Sequence, residues 1–112
     1  MKQLILLAIF PFTIMISTTA MSMEKGPALE LAKKSGCLAC HSVDRKIVGP
    51  AWLDVGKRYK GKADARATLI SKVKKGGKGN WTQVTGGIPM PPYSPRVKDE
   101  DIEKLVDFVL SL

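Results

Sequence analysis

Apolar positions recur along this chain at the three-to-four-residue spacing of helices, with no convincing pair of strands. Ala28, Leu31, Ala32 and Ser35 share one face of a first helix, opened by Gly26-Pro27 and closed by Gly36. A second follows Gly49-Pro50, with Trp52, Val55 and Tyr59 on one side and Gly61 at its end. Asp64 suits the N-cap of a third, which turns Leu69, Ile70 and Val73 inward and stops at Gly76-Gly77. The last is the clearest. Ile102, Leu105, Val106, Val109 and Leu112 repeat at helical spacing, while Asp99, Glu100 and Asp101 sit at the positive end of its dipole. Between the third and last helices, Gly76 to Lys98 reads as one irregular stretch containing Gly-Gly-Ile-Pro-Met-Pro-Pro. A loop that long in a small domain usually serves a function. The pattern predicts an all-α domain of about four short helices.

The segment before the first helix follows a different pattern. Lys2 precedes an apolar run, Leu4 to Ile16, broken only by Pro11 and Thr13. As a helix that run would reach about 20 Å, short of a hydrocarbon core about 30 Å thick. Small residues follow, so residues 1–20 read as a signal peptide cleaved after Ala20, or after Ser22 one step further on. This leaves a domain over residues 21–112 and places it in the periplasm. The alternative is an uncleaved membrane anchor.

Composition then narrows the field. With 112 residues and 6% aromatics, the chain makes one domain whose core would be marginal unless something else fills it. Two Cys cannot form a disulfide-dense scaffold, and one His cannot supply a multi-histidine metal site. The formal net charge is +8, and loss of Lys2 lowers it by one. Nine of the basic residues fall between Lys57 and Lys78, where Asp64 is the only acid. Asp99, Glu100, Asp101, Glu103 and Asp107 cluster near the C-terminus, and the expectation is that they lie away from the basic face.

Chemistry concentrates in Cys37-Leu38-Ala39-Cys40-His41, the signature of c-type haem attachment. Two thiols three positions apart can each add across one haem vinyl group. His41, next to the second anchor, is then delivered to the iron. Three other readings of the pair fit less well. A thioredoxin-like motif lacks its βαβ surroundings. A zinc site would have three ligands where a structural site takes four. The third is a plain disulfide, and with an export signal present haem is favoured over all three. For the sixth iron ligand, His41 is the only His, and Met21 and Met23 lie at the new N-terminus. Met90 alone sits in a stiff loop, between Pro89 and Pro91-Pro92. The alternative use of Met90 is to fill a gap in the core.

These motifs, with Lys46-Ile47-Val48-Gly49-Pro50-Ala51-Trp52, Gly79-Asn80-Trp81 and Ile88-Pro89-Met90-Pro91-Pro92, resemble the small bacterial class I cytochromes c of the c-551/c-552 type. The resemblance spans nearly the whole chain after the leader, including Phe108 where the family carries an aromatic. It implies the class I cytochrome c fold, with the helices wrapped around one covalently bound haem. It further implies that the Pro50 carbonyl accepts the His41 N–H, that Trp81 bonds a haem propionate, and that Lys72 stands where the family has a basic propionate partner. Two departures stand out. Four extra residues, Thr82-Gln83-Val84-Thr85, separate Trp81 from Met90, and Tyr93 replaces the amide common three positions after the ligand.

The function expected is one-electron transfer between respiratory redox partners, not enzymatic turnover. A peroxidase-like haem enzyme would need a distal acid-base residue, usually a second His. The rival is a haem-based sensor or catalytic haem subunit in which Met90 is displaced. Expected partners are oxidases, reductases or membrane cytochrome complexes with acidic docking surfaces. They would be met by a monomer that touches membranes only through them. Nucleic-acid binding has only the basic stretch in its favour and no reader motif.

Overall fold

The computed structural model describes residues 10–16 and 22–112. Most of the leader, with the Ala20 cleavage point, lies outside the described residues. Within it, residues 10–16 form no helix and are exposed. Among the described residues, no helix is long and apolar enough to cross a membrane.

Five helices and no strand make up the described chain: α1 (Lys25–Lys34), α2 (Trp52–Tyr59), α3 (Ala65–Lys75), α4 (Thr82–Thr85) and α5 (Asp99–Leu110). A 3-10 turn over Cys37–Ala39 follows α1. Pro27 stands in the first turn of α1, where a missing N–H costs nothing. Asp64 takes the N-cap position of α3 as expected, although its side chain makes no capping hydrogen bond. α4 lies inside the stretch read as irregular. Its single turn carries one large apolar residue, Val84, so it leaves no periodicity to detect.

α5 is the hub. α1, α2 and α3 each pack against it, and it buries Ile102, Leu105, Val106, Phe108 and Val109. On α1, Ala28 and Ala32 are wholly buried; residues this small let helix backbones approach closely. On α2, Trp52 meets Phe108 edge to face, with centroids 6.2 Å apart and planes at 83°.

The expected separation of charge is corrected by the packing of α3 on α5. Arg66 forks onto Asp107 at 2.7 and 3.1 Å and reaches Glu103 at 3.4 Å. Lys74 meets Asp99 at 2.9 Å. The C-terminal acids therefore neutralise part of the basic run across a helix interface. Helix dipoles account for another part of the pattern. Lys72, Lys74 and Lys75 occupy the last turn of α3, where cations are favoured.

Candidate functional site: an apolar cleft

The helices leave between them an apolar cleft that opens to solvent. Cys37, Cys40, His41, Pro50, Lys72, Trp81 and Met90, the residues singled out from the sequence, all line it. The two cysteines are free thiols, Cys37 buried and Cys40 half-buried. Burial pushes the Cys37 thiol up, and the nearby Arg96 opposes that shift.

His41 is held on three sides. Its Nδ1 donates to the Pro50 carbonyl at 2.8 Å. Its ring stacks on Trp52 at 5.8 Å and 24°, so Phe108, Trp52 and His41 form a continuous aromatic support running from α5. Gly49 closes the third side, where a Cβ would stand 2.5 Å from His41 Cε1. Burial lowers the His41 pKa, against the raising effect of the Pro50 bond. The ring is therefore neutral at pH 7, and with the proton on Nδ1 the Nε2 lone pair is left for a metal.

Met90 enters from the opposite run of chain. It exchanges both backbone hydrogen bonds with Gly77, at 2.8 and 3.0 Å. Among the described residues it is the sole methionine lining the cleft, while Met23 packs against the helical core. Lys72 donates from Nζ to the Gly77 carbonyl, and burial lowers its pKa. Trp81 carries Arg58 over its face, with the guanidinium 4.5 Å from the ring centroid. Arg58 also donates to the Asn80 carbonyl at 2.9 Å. Sequence reasoning counted Arg58 only as one more charge. Nothing local marks its pairing with a residue 23 positions away.

A large flat apolar group carrying reactive vinyls and an iron fits this donor set. Two thiols sit at one edge of the cleft, and an imidazole with its second nitrogen already fixed stands beside them. A soft thioether is available on a stiff loop.

The comparisons with known proteins agree with that chemistry. The family model for cytochrome c matches residues 24–112. Cytochrome c-551 of Allochromatium vinosum is 51% identical over 84 residues, covering 75% of this chain and 84% of that protein. Cytochrome c-552 of Hydrogenobacter thermophilus is 46% identical over 83 residues, covering 74% and 79%. Among solved structures, wild-type cytochrome c552 of Nitrosomonas europaea superposes with a TM-score of 0.66 at 44% identity, covering 74% of this chain and 96% of that one. The chain belongs to the cytochrome c family. Within it, the similarity is to the small bacterial cytochromes c-551 and c-552.

Proposed function

We propose that this chain is a periplasmic one-electron carrier, with one haem held covalently by Cys37 and Cys40 and its iron held between His41 and Met90. The observation that carries this reading is the convergence of two free thiols, one fixed imidazole and one thioether on a single apolar cleft. Bound there, the haem supplies a reversible one-electron iron couple, whose potential a thioether ligand raises. The chain's own residues do the rest. The Pro50 carbonyl orients His41 and makes it a better donor. Apolar lining excludes water and disfavours the extra charge of the oxidised state. Lys72 and Trp81, which both line the cleft, are the partners of the haem propionates in this reading. The electron donor and acceptor are redox proteins with acidic docking surfaces: an oxidase, a reductase or a membrane cytochrome complex. The chain meets them as a monomer.

The test is expression in a host that attaches haem, followed by intact mass and visible spectra. The mass should be that of the processed chain plus one haem. Met90→Ala should lower the midpoint potential and open the iron to carbon monoxide. A chain without added mass, or a Met90→Ala variant with the parent spectrum and potential, would refute the reading.

A further inference from the structure

The loop that carries Met90 is fastened from behind by the end of α3. Besides the paired bonds between Gly77 and Met90, the Tyr93 N–H donates to the Val73 carbonyl at 3.1 Å. These bonds fix one side of the loop. The side facing the Cys37 turn is left to side chains, and Tyr93 takes it. Tyr93 is 5% exposed, lines the cleft and follows Met90 by three positions. Its ring edge lies 3.9 Å from the point where Gly36 would carry a Cβ. Its hydroxyl is 3.5 Å from the Gly36 carbonyl, too long for a strong hydrogen bond, so packing of the ring carries the contact. Arg96 covers the ring, its guanidinium 4.8 Å from the centroid. Gly36 immediately precedes Cys37, so Tyr93 spans the distance between a thioether anchor and the sulfur donor.

We infer that Tyr93 is a positioning residue that pins the Met90 loop to the Cys37 turn and so keeps other ligands off the iron. The inference rests on the reading of Met90 as the distal ligand. An incoming ligand binds in proportion to the fraction of molecules whose thioether has swung away. A loop fastened on both sides keeps that fraction small. Removing the ring leaves space beside Gly36 and frees the loop on one side, so the open fraction rises.

The experiment is an imidazole titration of the purified ferric holoprotein, followed by visible absorption together with the midpoint potential. Tyr93→Phe, which keeps the ring, should bind imidazole within about twofold of the parent. Tyr93→Leu should bind at least about tenfold more tightly, with a lower potential. Tyr93→Met, an unbranched chain that fills gaps, carries the same expectation should the leucine variant not fold. Ile102→Val thins the wholly buried core on α5 away from the cleft and should leave imidazole affinity unchanged. The pin is refuted if the leucine and methionine variants keep parent affinity and potential. It is equally refuted if Tyr93→Phe or Ile102→Val opens the site as much as they do. Met90→Ala, titrated alongside, separates the two ideas. If it binds imidazole no more tightly than the parent, the ligand reading fails and the pin fails with it.

Discussion

At the scale of single residues, the site depends as much on an absent side chain as on the donors present. Gly49 sends its N–H to the Cys40 carbonyl at 2.8 Å and lets the His41 ring lie against its Cα. An added methyl would collide with ring atoms at 2.5 to 3.0 Å, and that ring is already held by Pro50 and Trp52. Gly49→Ala should therefore destabilise the holoprotein by about 1–3 kcal/mol. The haem absorption should shift as the imidazole turns away from Pro50. Thermal melts followed in the far-ultraviolet and at the haem band would check both. The haem-attachment cluster was legible in the sequence because its chemistry is local to five positions. Gly49 was legible as part of a helix opening and of the Lys46–Trp52 motif, not as a neighbour of His41. Its contact with His41 spans eight positions and exists only once the chain has turned back on itself.

At the scale of elements, the C-terminal end of α3 is also a mount. Gly76 has φ +69°, and a Cβ there would lie 2.4 Å from the Met90 carbonyl oxygen and 2.8 Å from the Pro91 carbonyl carbon. Both obstacles are backbone, so neither can rotate away. Gly76→Ala should cost about 2 kcal/mol or more, as non-glycine residues do in such backbone conformations. It should also push Met90 outward, visible as a lower melting temperature and increased binding of carbon monoxide. Sequence reasoning saw Gly76-Gly77 as a helix stop, which it is. It could not see the second role, because the pairing of Gly77 with Met90 is an isolated bridge between loops and not a strand with a pattern. The long helices were legible for the opposite reason. The apolar stripe of α5 repeats over three turns, whereas α4 is a single turn ended by Gly86.

At the scale of the whole molecule, the basic excess needs re-sorting before it can serve docking. Arg66 and Lys74 face acids of α5. Lys72 and Lys78 line the cleft, and Arg58 lies over Trp81 at its wall. From position 79 to position 95 the chain carries no charge at all, so the Met90 segment adds nothing to the charge that Lys72 and Lys78 bring to the cleft. Transient redox complexes bury under about 1,200 Å² and are oriented by charge more than by packing. With screening lengths near 10 Å at 0.1 M salt, the electron-transfer rate with a purified partner should fall steeply with ionic strength. Lys78→Glu should slow that reaction more than Lys74→Glu, while Lys74→Glu should lower the melting temperature more. Stopped-flow rates and thermal melts on both variants would show this crossed pattern. A rate indifferent to salt would remove charge from the account of docking.

The placement of the hub at the end of the chain sets an order of assembly. Ribosomes deliver a chain from its N-terminus, so the Cys37–His41 segment emerges well before α5 does. Until α5 arrives, α1, α2 and α3 lack the element on which each of them packs. During that interval Cys37 lacks the later core residues, Tyr93 and those of α5, with which it clusters in the fold. In the fold it is 7% exposed, and burial pushes its thiol pKa up. Late synthesis of the hub thus leaves the Cys37–His41 turn without its packing partners until α5 is made.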